Sequence, residues 1–299
     1  RIKVLIFNNL KVLINDKVKN YWIVSLAILT IVPILLAVFY APIDIDSGYF
    51  LSVIERMSDG LVPYIDFQFG YTPLVVYMGL ILKRRFSIGI NYEFFLIVHF
   101  TFQIITAFLV YKITTLIIIR KDYGFYSAIM FLMASHWNGG NAFLFETPSI
   151  LWGLLALYLT LRNKHKTFYF IVIGFIASLS YLSKQYGLGF FFLITYLIAF
   201  NSKRWKQFVF LVIGFILPVI VCNIIWGQAF IPVLIGGTSY SWHGSWLSKA
   251  NRLIDRMFYF FYRIFPVLII SVFYIPTLFR KRKGIFFSQL SMLVFGIFG

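Results

Sequence analysis

Asp44, Asp46 and Asp66 fall in one short polar stretch directly after a long apolar run, in a chain with only ten acidic residues. Carboxylates gathered there can accept the proton of a hydroxyl. Cations can meet a phosphate, and two sources stand out. Lys184 interrupts an apolar stretch, while Lys249, Arg252, Arg256 and Arg263 follow at spacings of three, four and seven and share one helical face. Glu146 opens another apolar run and is expected to face water or a polar cavity. Tyr240 and His243 lie in the polar, aromatic segment from Gly236 to Trp246, whose composition suits stacking and hydrogen bonding of a polar ring. His243 without a spaced partner is a weak metal ligand. A divalent cation beside the carboxylates stays open, with no metal ligand set assigned.

The elements that must hold these residues are membrane elements. At 61% hydrophobic and 12% charged residues, with a mean hydropathy of +0.86, the chain is too apolar for a soluble domain of this length. The expected fold is an all-α polytopic membrane protein. Its spans are about 21–41, 91–118, 123–137, 145–161, 168–183, 186–201, 208–226 and 264–279, with an incomplete one at 286–299. The net charge of +17 could suit nucleic acid, but Lys and Arg cluster between apolar runs rather than on one soluble face, so no nucleic-acid partner is expected. A single cysteine, Cys222, excludes an internal disulfide framework. The chain begins at Arg1 and stops within an apolar run, so it reads as one transmembrane domain, 1–299, cut from a longer protein at both ends.

Arg120–Lys121, Arg162 to Lys166, Lys203 to Lys206 and Arg280 to Lys283 fall on one side if the spans alternate, and short basic loops stay cytoplasmic. Loops 42–90 and 227–263 are then extracytoplasmic. Eight of the ten acids gather on or near that outer side, all but Asp16 and Asp122. Function is expected at that face.

Segment 46–85 is more than a connector. Tyr49, Phe50, Val53, Ile54 and Met57 recur at helical spacing, with Ser52, Glu55, Arg56 and Asp59 opposite, which predicts an amphipathic interfacial helix. Gly60 ends it. Pro73 to Leu82 is too short to span and reads as a second interfacial or re-entrant helix. Lys83–Arg85 then lie outside, a smaller violation of the charge rule than inverting every later loop. His99 and Gln103, one turn apart in a span, are expected to hydrogen-bond inside the bundle.

Three stretches carry a likeness: Asp44-Ile45-Asp46-Ser47-Gly48-Tyr49-Phe50, then Asp59-Gly60-Leu61-Val62-Pro63-Tyr64-Ile65-Asp66-Phe67, then Gly70-Tyr71-Thr72-Pro73-Leu74-Val75-Val76-Tyr77. Together they resemble the first extracytoplasmic loop of GT-C membrane glycosyltransferases, nearest to the bacterial aminoarabinose-transferase-like and protein-mannosyltransferase-like branch. Phe145-Glu146-Thr147-Pro148 looks like the acid opening that family's fourth span, and Leu182-Ser183-Lys184-Gln185-Tyr186-Gly187 like its Leu-x-Lys-x-x-Gly element. The resemblance covers about residues 20–190. It implies a polyprenyl-phosphate-linked sugar donor, a lipid, glycan or protein acceptor, and a catalytic carboxylate in the loop, in a bacterial inner membrane protein. Where many relatives carry Asp-Glu, this chain has Asp46-Ser47, so Asp46 and Asp44 both stand as the base. Asp66, Glu146, Lys184, Tyr240, His243, Arg256 and Arg263 are the expected substrate-binding residues.

Two other functions fit parts of the pattern. A transporter or flippase of lipid-linked sugars would concentrate charge near mid-membrane on broken helices, whereas these acids collect at one rim. A polysaccharide polymerase would share the outer acidic and basic loops.

Overall fold

The computed structural model describes residues 45–86, 92–119, 121–137, 145–162, 167–199, 205–231 and 233, with 28, 32 and 35. Among them the chain is almost entirely helical. The helices are α1 (Ile45–Ser58), α2 (Leu74–Phe86), α3 (Tyr92–Ile118), α4 (Lys121–Trp137), α5 (Glu146–Arg162), α6 (Tyr169–Ser183), α7 (Leu188–Ala199) and α8 (Trp205–Trp226). Two of them, α3 and α8, are long and apolar enough to cross a membrane. Helices α6 and α7 are apolar but shorter. The expected spans 264–279 and 286–299, the loop beyond residue 233, and all but residues 28, 32 and 35 of the expected span 21–41 lie outside the described residues.

The chain divides into two compact units, one containing α3 and α4, the other α1, α2 and α5 to α8. In the first, Gly124 of α4 lies so close to α3 that a Cβ there would stand 2.7 Å from the Tyr111 carbonyl oxygen. Ala107, Ala128 and Leu132 fill the seam. The expected pair on α3 forms, with Gln103 Nε2 3.0 Å from His99 Nε2 and both side chains buried.

The second unit is built on α6. Its middle crosses α8 at two glycines: a Cβ on Gly174 would lie 2.1 Å from the Leu211 carbonyl oxygen, and one on Gly214 would lie 2.0 Å from that of Ile171. Small residues let two backbones meet where no water drives helices together. On its other side α6 is tied to α5 by a reciprocal pair of hydrogen bonds. Ser149 Oγ donates to the Ser180 carbonyl at 2.9 Å, and Ser180 Oγ donates to the Ser149 carbonyl at 2.6 Å.

Helix α1 is amphipathic as its spacing predicts. Phe50, Leu51, Val53, Ile54 and Met57 are buried, and Ser52, Glu55 and Arg56 are exposed. Tyr49, expected on the apolar face, sits at its edge and is 40% exposed. Gly60, at φ 98°, stops the helix. The Leu61 N–H reaches the Arg56 carbonyl at 3.1 Å and the Gly60 N–H that of Met57 at 3.2 Å, the paired bonds of a Schellman terminus. Helix α2 runs four residues past Leu82 and ends on the basic triplet Lys83–Arg85, charges that suit a helix C-terminus. At 13 residues it covers about 20 Å, less than the ~30 Å apolar core of a bilayer.

Candidate functional site

One end of the second unit gathers polar groups from four places in the sequence: the start of α1, the loop before α2, the start of α5 and the turn after α6. The turn is set by Lys184, whose backbone is extended, with φ −157° and ψ 145°. Its N–H closes on the Ser180 carbonyl at 3.2 Å, and the Gly187 N–H bonds the Lys184 carbonyl at 2.9 Å. The short 3-10 turn Gln185–Gly187 brings the chain back so tightly that a Cβ on Gly187 would lie 2.3 Å from the Ser180 backbone. Gln185 fastens the turn to the segment after α8 by donating to the Val233 carbonyl at 3.1 Å.

Lys184 therefore projects from a fixed backbone. Its ammonium donates to a carboxylate oxygen of Glu146, at the first residue of α5, closing an ion pair across 38 residues of sequence. The two partners differ in access: the Lys184 side chain is 12% exposed and that of Glu146 38%. Two aromatic faces flank the cation, with Nζ 4.8 Å from the Tyr186 ring centroid and 5.8 Å from that of Tyr71. Burial alone would lower the lysine pKa. The Glu146 charge, the Tyr186 phenol and hydrogen bonds to both outweigh it, so the ammonium is held above the ordinary lysine value and stays charged.

Tyr71 is the hinge of the cluster. Its ring stacks on Phe145 at 5.5 Å and 8°, and meets Phe50 edge-on at 5.4 Å. Burial raises its phenol above the ordinary range; Lys184 opposes that shift, and Asp46, Tyr186 and Glu146 add to it. The phenol thus feels the charges of Asp46 and of the Lys184–Glu146 pair together. Asp46 itself is exposed in the first turn of α1. In that first turn its charge suits the N-terminal dipole.

The loop between α1 and α2 is pinned from within. Asp66 accepts the Val62 N–H on its carboxylate at 2.7 Å, while the Asp66 N–H returns to the Val62 carbonyl at 2.9 Å. This is the turn-forming role open to an Asp between Pro63 and Pro73. Tyr64 holds a left-handed backbone, φ 71°, and spends its hydroxyl on the Tyr71 carbonyl. Its ring packs against Trp226 and Phe230 at 5.5 and 5.6 Å, on an apolar cluster with Leu182 and Val233. Burial drives its phenol pKa far upward, so the hydroxyl stays a donor.

Of the residues singled out from sequence, Asp46, Glu146 and Lys184 come to this end of the unit, and Asp66 braces the adjoining loop. Asp44, Tyr240, His243, Arg256 and Arg263 lie outside the described residues. Tyr71 and Tyr186 were missed, although both stand inside the motifs that drew attention, because a search for charge passes over phenols. Among the described residues no group of three or more His, Cys, Asp or Glu side chains is arranged to hold a metal ion. Asp44 and His243 are not among them.

No family model, curated protein or solved structure matches this chain.

Proposed function

We propose that this chain is a GT-C-like membrane glycosyltransferase that moves a sugar from a polyprenyl-phosphate carrier to a lipid, glycan or protein acceptor at the outer membrane face. The observation that carries the reading is the convergence of Asp46, Tyr71, Lys184 and Glu146 at one end of a helical unit, from positions spread over 138 residues of sequence. Between residues 147 and 161, 167 and 183, and 207 and 248, the chain contains no Asp, Glu, Lys or Arg. Charge at the rim with an uncharged interior favours chemistry at a membrane face over passage through the membrane.

In this reading the acceptor oxygen bonds to the anomeric carbon as the bond from that carbon to the phosphate oxygen breaks. The acceptor proton passes to a loop carboxylate, Asp46 or its neighbour Asp44. The negative charge left on the polyprenyl phosphate is met by Lys184. Tyr71, between the two, is suited to donate a hydrogen bond to either reactant. The chain is then a polytopic protein of the bacterial inner membrane, with short basic loops inside.

The test uses purified protein in nanodiscs with radiolabelled polyprenyl-phosphate sugars and a panel of acceptor lipids. Transfer by the wild type that fails in Asp46→Asn or Asp44→Asn supports the assignment. No transfer from any donor, together with normal cellular function of both variants, sinks it. Cytoplasmic-side labelling of a cysteine placed at Ser52, exposed on α1, would invert the topology.

A further inference from the structure

Among the described residues Lys184 is the cation best placed to meet a phosphate, yet it already holds a carboxylate. Glu146 fills the position that an anionic oxygen would take on an ammonium flanked by the Tyr71 and Tyr186 rings. The pair is asymmetric in two ways. The lysine is the buried member on a turn fixed by Ser180 and Gly187, whereas the carboxylate is three times as exposed and sits on the first residue of a helix. Glu146 is thus the member nearer to water, and Lys184 the one whose backbone is held by the turn.

We propose that Glu146 is an internal stand-in for a phosphate ester: it occupies Lys184 in the empty site and yields the ammonium to the phosphate of an incoming polyprenyl-phosphate ligand. This rests on the glycosyl-transfer reading for the identity of that ligand. Physically, the resident carboxylate keeps a buried cation from being left unpaired, whose cost would otherwise fall on the fold. Exchange of one anion for another leaves the charge around Lys184 balanced at both ends of the step. The swing also takes a carboxylate away from the arriving phosphate, where it would repel. An empty site closed by its own acid would discriminate against uncharged lipids of the same chain length, because only an anion can replace what Glu146 supplies.

The experiment uses the full chain in neutral phosphatidylcholine nanodiscs, probed with undecaprenyl phosphate, undecaprenol, phosphatidic acid and inorganic phosphate. Carboxyl groups are labelled with a water-soluble carbodiimide and an amine, and Glu146 modification is read by peptide mass spectrometry. Undecaprenyl phosphate is expected to raise Glu146 labelling in the wild type severalfold, with no rise from undecaprenol. An equal rise with phosphatidic acid or inorganic phosphate assigns the exchange to phosphate in general and overturns the selective polyprenyl ligand. Protection of Glu146, or unchanged labelling while the lipid binds, overturns the exchange and leaves the transferase reading standing.

Glu146→Gln keeps an oxygen for Lys184 but removes the charge. A neutral amide competes for the ammonium less strongly than a carboxylate, so the affinity of this variant for undecaprenyl phosphate should rise about tenfold. Glu146→Gln/Lys184→Gln should lose that gain. Weaker binding by a Glu146→Gln protein that elutes as a folded monodisperse species contradicts the proposal, because it makes Glu146 a ligand-binding group. Sugar transfer by the wild type, measured separately with radiolabelled donor, reports on the transferase reading whatever Glu146 does.

Discussion

Helix α6 does two different things along its length. In the middle, Gly174 meets Gly214's helix backbone to backbone and no side chain fits between them. About two to three turns further on, Ser180 and the Lys184 that follows the helix use a hydroxyl, an ammonium and backbone groups to tie α5 and the following turn together. The middle is specified by the absence of atoms and the end by particular polar ones. A change at the middle should therefore act through folding, and a change at the end through chemistry, with the other property left nearly intact.

The sharpest way to break that division is Asp46→Asn. Asp46 is exposed and no packing depends on its charge, so thermal stability in detergent should stay within error while transfer falls about 10²- to 10⁴-fold, the usual share of a general base. Equal loss of both would make Asp46 a structural residue of α1. Gly214→Ala is the converse case. Its new methyl would meet the Ile171 backbone, which cannot move aside like a flexible side chain, and overpacking of this kind costs about 1–3 kcal/mol. Heating followed by size-exclusion chromatography should show earlier loss of the monodisperse species, with activity per folded molecule preserved. Gly60→Ala supplies the comparison, since nothing lies within 4 Å of its Cβ and its cost comes from the positive φ alone.

Between the two regions stands the Tyr64 brace, which joins the loop to the cluster around Trp226 and Phe230. Tyr64→Phe removes one hydrogen bond to the Tyr71 carbonyl and keeps the ring. The expected loss is about 0.5–1.5 kcal/mol, as read from the melting temperature, with a smaller change in transfer as Tyr71 loosens. A large effect on transfer with stability unchanged would move Tyr64 into the reactive cluster.

The same division explains what could be read in the sequence. Helices α3, α4, α5 and α8 follow their apolar runs closely, because runs broken by basic or Pro/Gly-rich stretches mark helix ends directly. The α1 face was legible from its period, and its end from Gly60. The Glu146–Lys184 pair was not, because it depends on how α5 and α6 lie together, which the serine pair and the glycine crossing decide between residues far apart. Each acid and base announced itself as unusual, but not as the other's partner. Asp66 shows the same limit in one residue: its neighbours permit either a turn or a substrate contact, and only the Val62 bond assigns the turn. Tyr71 carried no charge to notice, and its importance lies in standing where the charges meet.

The smallest expected effect separates the Lys184 pair from the phenols around it. Lys184 is held above its ordinary value of 10.5, and Tyr71 and Tyr49 above 10.0, so in all three the folded protein keeps a proton that the unfolded chain gives up more easily. A raised value means that the stabilisation is complete below the unfolded value and is lost as pH climbs through the folded one. The tyrosine contribution should begin to fade near pH 10.0 and that of Lys184 above pH 10.5, so the wild-type melting temperature should fall across that alkaline range. In Glu146→Gln the charge that holds the Lys184 proton is gone while burial of the phenols remains. Its melting temperature should start lower near neutral pH and then fall less steeply above pH 10.5 than that of the wild type. Parallel curves would mean that Glu146 does not hold the lysine proton, and the end of α6 would then owe its order to the serines and the turn rather than to charge.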